Sequence, residues 1–142
     1  MAITDFHLLL FDDNDERRTS LVRAAQSAGL RQVLSLRDEA DVRIHLDRLT
    51  QGEVPEGPYP SLVLVPLDGP GLNLLSWLNG RPLWRRMVTI GLVHPQEGHL
   101  IGRAYDLRVN SCLLRPDGFE EQVEFFRSVR RYWEGLNQSP PP

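Results

Sequence analysis

The feature that most constrains this chain is a five-fold alternation of short apolar runs with amphipathic segments. His7–Phe11 (HLLLF) is almost continuously apolar and stops at Asp12-Asp13-Asn14. A strand with one wet face alternates apolar and polar residues, so a continuous run predicts burial on both faces. Asp15–Ala28 then places Leu21, Val22, Ala25 and Ala28 on one helical face, with Gly29 as the stop. Gln32–Leu36 reads as a second strand, and Glu39–Leu49 as a helix striped by Val42, Leu46 and Leu49. Gln51–Pro60 holds two glycines and three prolines, the composition of a surface loop. Ser61–Val65 (SLVLV) is a third strand, Asp68-Gly69-Pro70-Gly71 a turn, and Leu72–Leu78 a helix ended by Gly80-Arg81-Pro82. Val88–Val93 and Val109–Leu114 are predicted as the last two strands, with a helix over Glu97–Leu107 between them. Pro116-Asp117 opens a long final helix running to about Leu136.

Strands alternating with helices at this spacing predict a parallel sheet covered on both faces, wound by right-handed crossovers into an open doubly wound α/β domain. Sites in such sheets form beyond the carboxyl ends of the strands. Here those ends carry Asp12, Asp13, Pro66, Leu67, Asp68, Val93, His94, Arg115 and Pro116.

Composition narrows the function classes. The 142 residues suit one domain, and a net charge of −3 is too weak to point to nucleic acid or an anionic membrane as partner. Cys112 is the single cysteine, which excludes an internal disulfide and a cysteine cage for a metal. Met1–Asp15 carries acids and no basic n-region, so no signal peptide is expected, and no apolar run approaches the roughly 20 residues that span a bilayer. The expected location is cytoplasmic. There is no Gly-x-Gly-x-x-Gly fingerprint, no P-loop and no plausible Ser-His-Asp or Cys-His set, so a binding module is expected and not an enzyme.

Four segments carry a family resemblance: LLLFDDND at the first strand, PSLVLVPLDGPGLNLL at the third, RAYDLRVNSCLLRP around the fifth, and FEEQVEFFRSVRRYW in the last helix. In this order and spacing they resemble a CheY-like response-regulator receiver domain, most of all the stand-alone type paired with phytochrome kinases. The resemblance implies a flavodoxin-like three-layer sandwich with sheet order 2-1-3-4-5. It runs from about His7 to Trp133 and implies a receiver over residues 1–137, and the proline-rich tail over 138–142 is expected to be disordered. Receivers of this family hold Mg2+ on an acid pair, accept a phosphoryl group on an aspartate, and use a hydroxyl, an aromatic residue and a lysine to read it.

Mapped on this chain, the acid pair is Asp12 and Asp13, the acceptor position is Pro66, and the hydroxyl position is Val93. The aromatic position is Cys112 and the lysine position Arg115, followed by the family's proline as Pro116. All sixteen basic residues are arginine. Proline has no nucleophile and no backbone donor, which a sheet tolerates best at a strand's last residue. Valine has threonine's shape without its hydroxyl, and cysteine is too small for an aromatic gate. An arginine fork engages a carboxylate through two bonds, so Arg115 is expected to reach Asp12 or Asp13 and fill the cation's space. Opposite charges 4 Å apart attract by about 4 kcal/mol at an effective dielectric of 20, before desolvation. Asp12, Asp13 and Asp68 are then a vestigial metal site at most, and Mg2+ a doubtful cofactor, because Mg2+ wants six oxygens. The plainer reading of Asp12 and Asp13 is a turn before a helix.

The resemblance implies a signalling partner, either a sensor histidine kinase or another signalling protein, and the departures from its pattern lead to the expectation of an atypical receiver acting without phosphorylation. The alternative is a receiver that phosphorylates a displaced carboxylate such as Asp68 or Asp13. On the last helix Phe119, Val123, Phe126 and Trp133 are expected to pack on the sheet. Phe125, Val129, Tyr132 and Leu136 form a second stripe, read as an interface. Related receivers dimerise near this helix, so a homodimer through it is implied. His7, His45, His94 and His99 read as structural or solvated residues, and Trp77, Trp84 and Trp133 as ordinary packing aromatics.

Overall fold

The structure is a computed structural model and describes residues 6–50, 59–82 and 87–136. Trp84, most of the predicted Gln51–Pro60 loop, the tail and the side chain of Leu136 lie outside the described residues. The elements follow the strand–helix alternation: β1 His7–Phe11, α1 Asp15–Ser27, β2 Gln32–Leu36, α2 Glu39–Thr50, β3 Leu62–Pro66 and α3 Gly71–Asn79. After these come β4 Val88–Val93, a 3-10 turn at Pro95–Glu97, α4 Leu100–Asp106, β5 Ser111–Leu114 and α5 Phe119–Leu136. The five strands form one parallel sheet in the order β2-β1-β3-β4-β5. This is the flavodoxin-like arrangement expected.

Side chains alternate across the sheet with a period of two, so each central strand feeds two cores. Leu9, Phe11, Val63, Val65 and Val93 point to the face covered by α2, α3 and α4. Leu8, Leu10, Leu62, Leu64 and Leu92 point to the face covered by α1 and α5, where they meet Leu21, Ala24, Ala25, Val123 and Phe126. Full burial of each such leucine stabilises by roughly 1.5–3 kcal/mol. β2 lies at the sheet edge, and none of its residues is fully buried.

Helix α1 starts where Asn14 takes the Arg17 N–H on its side chain, a common N-cap (2.9 Å). It stops at Gly29, whose φ of +97° lets the chain turn away. Arg130 of α5 donates from Nη1 to the Ala28 carbonyl (3.2 Å), so a cation from another helix serves the carbonyl end of α1.

Three departures from expectation have local causes. α4 begins at Leu100 and not at Glu97, because Pro95–Glu97 forms a separate 3-10 turn in which His94 Nδ1 accepts the Gln96 N–H (3.1 Å). β5 is shorter than Val109–Leu114: Arg108 takes φ of +66° and Val109 N–H bonds back to the Ala104 carbonyl, finishing α4 first. Phe119 does not pack on the sheet. It is 46% exposed on the first turn of α5, beside Thr19, Ser20 and Arg23 of α1. Val123 and Phe126 are buried as expected, and Trp133 is partly buried.

Candidate functional site

β1 carries the chain to Asp12, which is fully buried, and to Asp13, which is exposed. Asp12 Oδ1 accepts the Asn14 N–H (2.9 Å) and Arg17 Nη2 (2.8 Å), while Oδ2 accepts Arg17 Nε (2.5 Å). Arg18 Nη1 donates to the Asp12 carbonyl (2.9 Å) and Nη2 to Asp15 (2.8 Å). Side chains on a helix lean toward its N-terminus, so a residue in the first turn of α1 lies back over the segment that precedes it. Arg17 uses this lean to close a two-bond fork on Asp12. Burial pulls its guanidinium pKa down, but the hydrogen-bonded Asp12 and the charges of Asp68 and Asp13 outweigh that pull and raise it.

Pro66 is the last residue of β3 and pairs with Leu92, while the next donor, Leu67 N–H, bonds the Leu92 carbonyl (2.9 Å). The register of β1 against β3 runs only to Leu10 and Leu64, two residues short of Pro66. The donor that proline lacks therefore falls where the central ladder has already ended, as the sequence reading required. α3 begins hard against this point: a Cβ on Gly71 would lie 1.6 Å from the Pro66 carbonyl oxygen. Between them, Asp68-Gly69-Pro70 turns with φ of +58° at Gly69, a residue lying close to the Asp13 carboxylate.

Arg115 does not reach Asp12 or Asp13 as expected. Its Nη1, buried and without a hydrogen bond, faces Asp68 Oδ2 at 3.6 Å. Both oxygens of Asp12 are already taken, by the Asn14 N–H and by Arg17. Arg17 thus holds Asp12, and Arg115 faces Asp68. Asp12 offers its oxygens to nitrogen donors and Asp68 faces a guanidinium, so this donor set does not fit a cation that needs six oxygens.

Val93 is buried in the core beneath α3 and α4. Cys112 is half-buried on β5, where its N–H donates to the Tyr105 hydroxyl (3.2 Å). Burial pushes the Cys112 thiol pKa up, and Tyr105 pulls it part of the way back. Tyr105, from α4, was not singled out by sequence reasoning, nor was Arg17. The signal for Arg17 was present: an arginine in the first turn of a helix sits at the wrong end of the helix dipole unless carboxylates hold it.

Phe125, Val129 and Trp133 are partly buried against the second core, while Tyr132 is 69% exposed. With Phe6, Ile90 and Leu113 they line an apolar groove of about 730 Å³ between α5 and the outer strands. Leu114 beside it is 64% exposed. His99 is exposed and makes no capping bond, and His7 pairs its N–H with Ser61 Oγ (3.1 Å). Arg81 and Arg43 lie over the Trp77 ring, at 4.3 Å and 5.5 Å from its centroid. No helix among the described residues is long and apolar enough to cross a membrane.

No known family profile matches this chain. It is 30% identical over 141 residues to the probable methanogenesis regulatory protein FilR2 of Methanothrix harundinacea (strain 6Ac), covering 96% of this chain and 89% of that protein. Among solved structures it superposes on response regulator RPA3017 in red light signaling of R. palustris, with TM-score 0.74, 22% identity, and 96% and 100% of the two chains covered. The Mn2+-bound form of response regulator Rcp1 matches with TM-score 0.72 and 20% identity over 96% and 99%. The bacteriophytochrome response regulator RtBRR matches with TM-score 0.69 and 25% identity over 99% and 86%. With the sheet order, the acid pair after β1 and a regulatory relative aligned over nearly its whole length, the chain belongs to the CheY-like response-regulator receivers of two-component signalling.

Proposed function

We propose that this receiver is a phosphorylation-independent protein-interaction module, a binding protein and not an enzyme. The observation that carries the reading is Pro66 at the end of β3, in the acceptor's place. Proline offers no oxygen to a phosphoryl group. The neighbouring departures act in the same direction: Val93 has no hydroxyl to bond a phosphoryl oxygen, and Cys112 no ring to swing. A receiver switches by shifting population between two states, and a group that cannot be phosphorylated supplies no differential free energy to shift them. Incubation with acetyl phosphate and Mg2+, read by intact mass and Phos-tag mobility, tests this. The expected result is no adduct. An adduct abolished by Asp68→Asn would overturn the reading in favour of a displaced acceptor.

The partner surface we propose is the exposed side of α5 with the edge strand β5, and the occupant is a second copy of the chain. Tyr132, Leu113 and Leu114 present apolar area there. The charges of α5 run from acid to base: Glu120, Glu121 and Glu124 lie toward its start and Arg127, Arg130 and Arg131 follow, with Glu134 paired to Arg130 near its end. In a two-fold contact residue i meets j and j meets i, so antiparallel α5 helices set acids against arginines twice. The pair Arg127–Glu124 within α5 is exposed and worth little, so exchanging it across an interface costs little. A sensor kinase or another signalling protein would then meet the dimer. Light scattering after gel filtration should show a dimer that Tyr132→Glu with Leu114→Glu splits. A wild-type monomer at the highest attainable concentration refutes the pairing.

A further inference from the structure

We infer that Arg17 is a tethered cation that takes the place of a divalent ion on the buried Asp12, which makes the acid pair of this receiver metal-independent. Both oxygens of Asp12 are used: Arg17 holds one through Nε and the other through Nη2, and the Asn14 N–H shares the second. Asp12 is fully buried and Arg17 largely so, with relative exposures of 0% and 20%. An incoming ion would have to displace a two-bond, desolvated fork, the strongest hydrogen-bonding geometry a carboxylate can be offered. Mg2+ also dehydrates reluctantly and needs near-octahedral oxygens, whereas this pocket would first have to expel a guanidinium with no neutral form to retreat to.

The position of Arg17 shows what it responds to. A cation in the first turn of a helix is opposed by the positive end of the helix dipole. In α1 that turn also carries Asp15 and Glu16, which suit the dipole. Arg17 is tolerated there because the buried Asp12 carboxylate takes two of its donors in a fork. The tether is five residues long and begins on a rigid helix, so the competing cation is always present at the site, at an effective concentration that free ions must exceed.

This inference goes beyond the proposed function, since a chain without an acceptor can still hold a divalent ion on its acid pair. The experiment is Mn2+ titration of 15N-labelled protein, read as paramagnetic broadening of the Asp13, Asn14, Asp68 and Gly69 amides. A thermal melt with and without Mg2+ accompanies it. The wild type should show no saturable broadening at these amides and no Mg2+ shift in Tm. Arg17→Ala should show saturable Mn2+ broadening at these amides, where the wild type shows none. If Arg17→Ala does not fold, Arg17→Gln keeps a hydrogen bond to Asp12 without the charge and should gain binding in its place. Saturable broadening of the wild-type pocket overturns the inference, as does a folded Arg17 variant that gains none. Phosphoryl labelling reads Pro66 and Asp68 and would leave this result untouched, so failures of the two readings are distinguishable.

Discussion

Replacing Gly71 by alanine should damage the fold far more than its size suggests. A Cβ there would lie 1.6 Å from the Pro66 carbonyl oxygen, 2.8 Å from its carbonyl carbon and 3.1 Å from Val65 Cγ1. Ordinary carbon contacts begin near about 3.5 Å, so relief needs a shift of roughly 2 Å. The first two partners are backbone atoms of Pro66, the last residue of β3, which is paired with Leu92 of β4. The start of α3 must move, and it carries Leu74, Leu75 and Leu78, each at 0% exposure. Overpacking of this kind costs about 1–3 kcal/mol, and more when only backbone can yield. Alanine recovers at most about 1 kcal/mol of helix propensity over glycine. A net loss near 2 kcal/mol lowers Tm by roughly 6–8 °C for a domain of this size. The control is Gly102→Ala in α4, where nothing lies within 4 Å of the added methyl. It should stabilise by about 0.5–1 kcal/mol. Circular-dichroism melts and urea titrations of both variants decide it. A Gly71→Ala protein melting within about 1 °C of wild type, or moving in step with Gly102→Ala, would refute the packing argument.

Arg17→Ala strands a buried carboxylate and should cost about 3 kcal/mol in urea unfolding, whereas Arg115→Ala breaks a longer, partly exposed pair with Asp68 and should cost under about 1 kcal/mol; the reverse order would restore Arg115 as the pocket's main cation. The hydrogen bond from Arg18 and the charge of Arg37 hold the Asp15 carboxyl below its ordinary 3.8. A depressed folded pKa stabilises above the unfolded value and is lost as pH falls through the folded one, so the effect belongs to the acid limb. Carboxyl NMR should place the Asp15 midpoint below that value and Arg18→Ala should raise it; an unmoved midpoint contradicts the pairing. The Cys112 thiol should alkylate with a midpoint above its ordinary 9.0, and Tyr105→Phe should raise that midpoint further. A fall in Tyr105→Phe would mean the hydroxyl is not acting on the sulfur.

The strands were legible because their signal is one of composition. HLLLF, QVLSL and VTIGLV begin and end in the structure where the apolar runs do. Boundaries failed where a turn competes with the element. Pro95 initiates a 3-10 turn before α4, and the left-handed Arg108 delays β5. Phe119 failed for a different reason: periodicity tells which residues share a helix face, not how far the helix has run before it meets the sheet. At the site, the three acids were found because they occupy strand ends. The cation was sought at Arg115, another strand end, whereas the residue that closes the fork sits on a helix. Which of two arginines reaches a buried carboxylate depends on side-chain lean and distance, and residue types at strand ends do not encode either.

The ring of Phe6, just before β1, meets that of Trp133, near the end of α5, edge to face at 5.0 Å between centroids. The first described residue and the last helical turns are therefore neighbours, although nearly the whole domain lies between them in sequence. Any protein fused upstream and any fused downstream would leave from the same corner. A linker of a few residues could join these points, with new ends cut in a surface turn such as the one at Gly69. Such a circular permutant would keep both aromatic rings in contact, and with them the seam where the domain opens and closes on itself.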